Sequence, residues 1–588
     1  MLFYDSSEYL TVFRSKLSLD LDSEKPTGER LFYRNQILDN FDKKYIKSGP
    51  GIDTEMECYL KFLSVNAQMK TINNRYESDL TNWNADPVLR RARYLCADIL
   101  REAPLLEEMF AWSRHSGGSS IGVKFMDTSL EAKMTFPISG TKSACRLWEH
   151  YKHWDWNYYS QACDLNESPV LSPETISVDG SRATTVPKTN KIDRFIAVEP
   201  TLNMFWQQGI SAVMNKRLER VGLSLQRDQE KHRSLAFVGS ITEAYGTIDF
   251  SSMSDRLSLA VCHYLLPKEW YSLLFSVRSH RTSLRGESLP LHMISTMGNA
   301  TTFPLETLIL YCLANSACSQ IQGREALDLA RHDVHVFGDD CILPSRACGE
   351  FIRACEQVGF KTNDSKTFVT GPFRESCGGD FYHGRDVRPY HLEGLSSIVT
   401  RRKDKEAYLY SVINGVLRMY IKYFGTLTYL YDKHLLRYLF SLLSSHTDFV
   451  KFVPEDFPED AGVCCIRDSR RLIHAYHLNP SRVGMNIHGQ LDFKYLAYQF
   501  PVRKLMHEGL RYRSDQKKWN DSKTWGEELS VAVRLRRKGG FYVERTNTKD
   551  PCFAVTPTTL FSLQGSQLKG LYPRTRERRV GNTPFSSR

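Results

Sequence analysis

The stretch Val334-His335-Val336-Phe337-Gly338-Asp339-Asp340-Cys341-Ile342-Leu343 constrains this chain more than any other. Two apolar, β-prone runs flank a Gly-Asp turn. Gly between such runs is a hairpin signal, because it accepts the positive φ that a two-residue turn demands. The pattern predicts two paired strands with Asp339 and Asp340 at their tip. Adjacent carboxylates repel, so such a tip is costly unless a cation sits there. Oxygen-only ligands suit Mg²⁺. The alternative is an ordinary polar turn.

A second acidic stretch lies upstream, Thr247-Ile248-Asp249-Phe250-Ser251-Ser252-Met253-Ser254-Asp255. It reads as a short strand ending in Asp249, a turn of small residues, then a helix start. Leu257, Ala260, Val261, Tyr264 and Leu265 have the spacing of one buried helical face. If the two strands are neighbours, Asp249, Asp339 and Asp340 converge. That is a minimal set for two divalent ions, one activating an attacking oxygen and one stabilising a leaving oxygen. Asp255 has a second reading as a helix N-cap.

Charge is unevenly placed. The chain of 588 residues carries a net +11. Residues 501–588 hold 19 Lys and Arg against 8 Asp and Glu, which is the entire excess. Arg534, Arg536, Arg537 and Lys538 and the arginines of 571–588 belong to it. This is the footprint of a phosphate-backbone contact or a loosely ordered basic tail. The 14 cysteines form no CxxC pair and no Cys/His cluster with zinc spacing, which points to reduced thiols in a cytosolic protein. Asp5, Glu8 and Asp20 stand where a signal peptide needs a basic start and an apolar core. The longest apolar region, around 409–443, is broken by Arg418, Lys422, Asp432, Lys433 and Arg437, so no bilayer span is expected.

Along the chain, residues 1–50 carry no clear pattern. Thr54 with Glu57 forms a capping box, and helix follows through the sixties. Residues 85–115 read as helix, broken at Ser116-Gly117-Gly118-Ser119-Ser120. Residues 154–185 read as loop-rich, and 241–391 as short strands alternating with helices. From 406 onward, Leu409, Val412, Ile413, Val416, Leu417, Tyr420, Ile421 and Phe424 form one apolar stripe, most simply core.

Two further stretches carry chemistry. In the run Val186 to Pro200, Lys188, Lys191 and Arg194 alternate with small or apolar residues and lead into a strand. Cations so spaced can meet a triphosphate, Arg as a fork and Lys as a point charge. The plain alternative is a solvated hairpin. In Ser295-Thr296-Met297-Gly298-Asn299-Ala300-Thr301-Thr302-Phe303-Pro304-Leu305-Glu306, small residues precede an apolar helix. Gly allows close backbone approach to a ligand, and Asn and hydroxyls can read sugar and template atoms. The alternative is a loop with a helix cap.

In this order, a basic segment, D-x5-D, G-x3-T and GDD resemble viral RNA-directed RNA polymerases, most closely the replicase catalytic subunits of single-stranded RNA bacteriophages of the Qβ type. The residues behind the resemblance are Gly51-Ile52-Asp53-Thr54-Glu55, Ser116-Gly117-Gly118, Val186 to Pro200 and Asn203-Met204-Phe205. Met297-Gly298-Asn299, Phe337 to Asp340 and Gly371-Pro372-Phe373-Arg374-Glu375-Ser376-Cys377-Gly378 complete the set. The likeness spans roughly 50–395.

The resemblance implies an α+β right-hand polymerase with fingers, palm and a mostly helical thumb, the palm an antiparallel sheet backed by helices. The implied division is 1–50 extension, 51–240 fingers, 241–395 palm with a fingers insertion near 266–300, 396–530 thumb, and 531–588 basic region. Asp249, Asp339 and Asp340 would hold two Mg²⁺, with Mn²⁺ as substitute. Lys188, Lys191 and Arg194 would neutralise the triphosphate. Asp255 with Gly298, Asn299 and Thr302 would hold the ribose and nascent pair, and the Gly371–Cys377 turn the growing strand. Lys366 would protonate the pyrophosphate leaving group, with Lys361 as the alternative. Implied partners are RNA, ribonucleoside triphosphates, host elongation factors Tu and Ts and a ribosomal protein, in the cytoplasm of an infected bacterium.

The chain departs from the wider pattern at three positions. Phe337 stands where Tyr is usual, Met297 where many have Ser, and Glu306 where many eukaryotic-virus enzymes have Asn. A reverse transcriptase shares the paired-Asp hairpin, but it usually has an aromatic sugar gate where this chain has Ser254. A non-catalytic RNA-binding protein leaves the three carboxylates unexplained, since acidic groups repel RNA unless they hold metal.

Overall fold

The computed structural model describes residues 7–23, 25–45, 52–123, 128, 130–165, 174–323, 332–393, 402–425, 430–447, 450, 452–454, 462–465, 476–478 and 543–545. The basic residues 534–538 and 571–588 lie outside them. The protein is mixed α+β, mostly helical with several small sheets. No helix among the described residues is long and apolar enough to cross a membrane. Two compact units result, Met1–Gly51 with Pro389–Arg588, and Ile52–Arg388.

In the first unit, the patternless N-terminal residues form helices Ser7–Asp22 and Gly28–Asn40. Leu10, Phe13, Leu17 and Leu21 are buried, at the i, i+3, i+4 spacing of one face. Helix Arg402–Phe424 carries the expected stripe, with Leu409, Val412, Ile413, Val416, Leu417, Tyr420 and Phe424 buried. Asp20 is buried and accepts from the Tyr420 hydroxyl at 2.6 Å and from the amides of His434 and Leu435 at 2.8 and 2.9 Å. A carboxylate from the first helix thus caps helix His434–Ser444, satisfying amides its own Lys433 leaves open.

In the second unit, the strands in chain order are β1 (Ile138–Gly140), β2 (Thr175–Ser177), β3 (Ser181–Val186), β4 (Arg194–Val198), β5 (Tyr245–Ile248) and β6 (Arg281–Leu284). They continue with β7 (Glu287–Pro290), β8 (His335–Phe337), β9 (Asp340–Pro344), β10 (Phe373–Ser376), β11 (Gly379–Tyr382) and β12 (Arg385–Asp386). The central sheet has the order β5-β9-β8 and is antiparallel throughout. The Lys-rich segment is the turn of the β3–β4 hairpin, in a sheet of order β4-β3-β6-β7 that the 281–290 hairpin completes through a parallel β3–β6 pair. β10, β11 and β12 form a third antiparallel sheet.

Helix Thr302–Ile321 packs against helices Pro87–Leu100 and Ser345–Gln357. Every residue from Pro304 to Ser319 is buried, so this largely apolar helix is enclosed on all sides, as a central helix must be. The structure corrects four local readings. The cap of helix Thr54–Asn74 is Asp53, whose carboxylate accepts from the Met56 amide at 2.9 Å, rather than the Thr54–Glu57 box. The helical reading of 85–115 divides into Pro87–Leu100 and Leu106–Trp112, with Arg101 at φ +55° and Pro104 between them. Within 154–185 there is a helix, Trp156–Leu165. After Asp255 the helix begins only at Leu259, and Ser258 caps it through the Val261 amide at 3.1 Å. Asp255 is therefore not the cap of that helix.

Candidate active site

The Gly-Asp turn forms as its residues demand. Phe337 pairs with Asp340 across a two-residue turn, and Gly338 has φ +65°. The Gly338 amide donates to the Thr307 hydroxyl at 2.9 Å, which ties the turn to helix Thr302–Ile321. A Cβ at 338 would lie 2.2 Å from the Phe303 ring. Phe337 meets Phe303 edge-on, centroids 5.0 Å apart. Losing the tyrosine hydroxyl therefore leaves the ring contact in place.

Ile248 pairs with Cys341, so one further step of the register sets Asp249 opposite Asp340. Asp249 comes to the end of β5 beside the hairpin tip, as the strand reading predicts. Its carboxylate accepts from the Asn363 side chain at 2.8 Å. Burial lifts the Asp249 carboxyl above its ordinary range, and Asp339 adds to this, against the pull of Lys366. Burial also raises Asp339, opposed by its own amide and by Lys188, Lys366 and Arg194. Burial, then the charges of Asp339 and Asp249, push Asp340 up to about 7, although Cys377 donates to it. Each carboxylate thus feels at least one of the others through the protein.

The β3–β4 hairpin supplies positive charge. Lys188 and Arg194 both act on Asp339. Burial, then the like charges of Arg194 and Lys61, lower the Lys188 ammonium, while Asp339 and Asp249 hold it up. The Lys188 side chain reaches out to solvent beside the cluster, so the desolvation it feels is partial. Lys191 is exposed, its amide held by the Thr189 hydroxyl at 3.2 Å.

The 295–302 loop lies against β4. The Ala197 amide donates to the Met297 carbonyl at 2.8 Å, and a Cβ on Gly298, at φ +119°, would lie 2.3 Å from the Ala197 carbonyl oxygen. Asn299 folds back onto the Thr296 amide at 2.9 Å, and the Thr302 hydroxyl donates to the Thr296 carbonyl at 2.8 Å. Asp255 is buried and accepts from the Met297 amide at 3.2 Å. Burial pushes it up to about 6, opposed by that bond and by Lys61 and Arg256. Asp255 therefore steadies the glycine loop.

Lys366 and Lys361 separate clearly. Lys366 is half-buried, pairs with Glu375 at 2.8 Å, and acts on Asp249 and Asp339. Lys361 is exposed, and its carbonyl takes the Ser251 amide at 2.8 Å. Arg374, in the turn assigned to the growing strand, is fully buried and donates to the carbonyls of Tyr245, Gly371, Phe373 and Val369. It is a strut between that turn and β5.

Sequence reading misses Asn363, Glu375 and Cys377 as neighbours of the cluster, and Lys61 as a neighbour of Lys188 and Asp255. Lys61 and Asn363 carry no motif. Glu375 and Cys377 lie inside a quoted motif, and their alternation along β10 and its turn is the one signal that could have marked them. Glu306, where many eukaryotic-virus enzymes have Asn, also lies near the carboxylates. It is buried, its Oε2 has no hydrogen-bond partner, and burial, then Asp339 and Asp255, raise it well above its usual range.

Among the described residues no group of three His, Cys, Asp or Glu side chains is gathered to hold a metal ion. The carboxylates are neighbours without being drawn to one point. The donor set nevertheless fits a hard divalent cation. It is all oxygen, partly desolvated, and mutually repelling, a combination a cation relieves. A pH test follows. The raised Asp340 carboxyl keeps its proton in the fold after the unfolded chain has released it, so its contribution to stability falls as pH rises from about 4 to about 7. In chelator, Asp340→Asn should gain stability relative to the parent across that window, on the order of 1–4 kcal/mol. Thermal unfolding of both proteins against pH checks this; a constant difference would refute it.

The chain belongs to the RNA replicase beta-chain family, whose model matches residues 6–401. Among its curated relatives is the RNA-directed RNA polymerase subunit beta of Escherichia virus Qbeta, 36% identical over 367 residues, covering 61% of this chain and 59% of that protein. The RNA-directed RNA polymerase beta chain of Escherichia phage MS2 is 32% identical over 390 residues, covering 65% and 69%. The match to the Qbeta protein thus spans about three fifths of that relative's length. A solved structure, the insertion-loop deletion mutant of the RNA-dependent RNA polymerase of a human picorbirnavirus, aligns over 72% of this chain and 98% of its own at 13% identity, with a TM-score of 0.35.

Proposed function

We propose that this protein is an RNA-directed RNA polymerase that copies a phage single-stranded RNA genome from ribonucleoside triphosphates. The observation that carries the reading is the desolvated Asp249, Asp339 and Asp340 set at the end of the β5-β9-β8 sheet, faced by Lys188, Arg194 and Lys366. Carboxylates alone would repel a polyphosphate, and cations alone would bind it without activating it. Family membership and the curated relatives support the same reading. In this reading the fold is of the right-hand polymerase class, with the palm built on the β5-β9-β8 sheet and the fingers on the β3–β4 hairpin.

Asp249 and Asp339 would hold divalent Mg²⁺, or Mn²⁺, with Asp340 in support. Such ions supply charge neutralisation on the attacking and leaving oxygens. The reaction is attack of an RNA 3′-hydroxyl on the α-phosphate of a nucleoside triphosphate, forming one phosphodiester bond and releasing pyrophosphate. Lys188 and Arg194 orient the triphosphate by charge, and Lys191 extends the same strip. Asp255 acts on the sugar site through Met297, keeping the loop of Gly298, Asn299 and Thr302 against β4. Lys366, its ammonium kept charged by Glu375, gives a proton to the leaving pyrophosphate. RNA and nucleotides are the partners of this chemistry, and host elongation factors Tu and Ts and a ribosomal protein are the proteins to seek in a pull-down from the host.

The test is Mg²⁺-dependent synthesis on an RNA template with ribonucleotides and, separately, deoxyribonucleotides. Ribonucleotide-dependent product supports the reading; DNA product would mark a reverse transcriptase, and no product a non-catalytic RNA-binding protein. In the same assay Lys366→Met should lower the rate on the order of 10²-fold, the usual scale of a general acid, and Lys361→Met should change it little. Equal losses in the two variants would remove Lys366 from its assigned role.

A further inference from the structure

Cys377 occupies a position that asks for a different residue. β10 and β11 are joined by Cys377-Gly378, with Ser376 paired to Gly379. Both turn residues have positive φ, +47° at Cys377 and +75° at Gly378. Such turns favour Asn-Gly or Gly-Gly, because left-handed backbone costs other L-residues energy. A cysteine there brings strain without any local gain.

The gain lies across the sheet. The Cys377 amide donates to Asp340 Oδ2 at 3.2 Å, and the Cys377 Sγ lies 3.4 Å from the same oxygen. Cys377 is buried. The Asp340 oxygen is an acceptor within reach of the Cys377 S–H, a weak donor. Two residues earlier on the same strand, Glu375 holds Lys366 at 2.8 Å. The β10–β11 hairpin thus grips both a carboxylate and the cation of the cluster. Asp340 needs such a hold, since Asp339 and Asp249 both repel it.

We propose that Cys377 is a positioning residue which, through paired hydrogen bonds to Oδ2, turns the Asp340 carboxylate so that its other oxygen faces the metal-binding cluster. The proposal rests on the polymerase reading for its catalytic consequence but not for its metal-binding one. It explains how Asp340, repelled by its two neighbours, keeps one orientation beside them. It also makes the β10–β11 hairpin a mechanical part of the carboxylate cluster.

The experiment compares Cys377→Gly and Cys377→Ser with the parent, in full-length protein. Glycine relieves the backbone strain, keeps the amide and deletes the thiol, so the fold should be at least as stable. Serine keeps a donor. Mn²⁺ binding to the RNA-free protein is read by electron paramagnetic resonance, alongside steady-state RNA synthesis. Cys377→Gly should weaken Mn²⁺ binding about 3- to 10-fold and lower kcat by a similar factor, with the KM for nucleotide little changed. Cys377→Ser should recover most of both. Parent-like Mn²⁺ affinity in the glycine variant with unchanged thermal stability would overturn the proposal, and so would a serine variant no better than glycine. If the parent bound Mn²⁺ yet made no RNA, the polymerase reading would fail while the metal arm still judged Cys377.

Discussion

Asp339→Asn is expected to abolish nucleotide addition, by 10³-fold or about 4 kcal/mol and more, while RNA binding stays near the parent's. Asp339 sits at the tip of the hairpin, half-buried and held by the charges of Lys188, Lys366 and Arg194. Asparagine matches its shape but removes the charge that would balance a divalent ion. RNA contacts made elsewhere are untouched, so affinity and chemistry should separate. The check is single-turnover RNA synthesis alongside RNA binding by anisotropy. An asparagine variant with near-parental Mg²⁺-dependent synthesis would show that Asp339 is not a ligand.

Gly298→Ala should destabilise the fold strongly. The new Cβ would lie 2.3 Å from the Ala197 carbonyl oxygen, and the backbone is at φ +119°. Backbone of β4 cannot step aside as a side-chain end can, because Ala197 is paired with Ala183 and bonded to Met297. The cost is the strained conformation plus the displacement of β4, about 3 kcal/mol or more. Gly371→Ala is the control. Gly371 has φ +73° but open space where its Cβ would stand, so it should lose only about 1 kcal/mol. Denaturant midpoints of the two variants test the difference. If they fell equally, the contact with β4 would not be the cause.

These two residues differ in how far the sequence announced them. Asp339 stood in a turn whose chemistry is complete within a few residues. Gly298 reads as a place for close backbone approach to a ligand; the backbone it approaches in the structure is strand β4 of this chain. Asn299 and Thr302 likewise spend hydrogen bonds inside the loop, on Thr296. A single sequence cannot distinguish a loop that opens toward a ligand from one that closes on its own protein, since both need small residues and hydroxyls.

The sequence by itself determined what depends on near neighbours. The Gly338-Asp339 hairpin, the strand ending at Asp249 and the apolar stripe of 409–424 follow from turn chemistry and periodicity, and all three are in the structure. The tertiary structure alone decided which charges act on one another. Asn363 reaches Asp249 across 114 residues of chain, and Asp20 caps a helix 414 residues away. It also moved the cap after Asp255 to Ser258 and left Asp255 to hold Met297. It chose Lys366 over Lys361 as the cation beside the carboxylates. The reason is physical. Backbone preference is set within a turn or two of the chain, whereas Coulomb and desolvation energies depend on separation in space, which only the packed fold supplies.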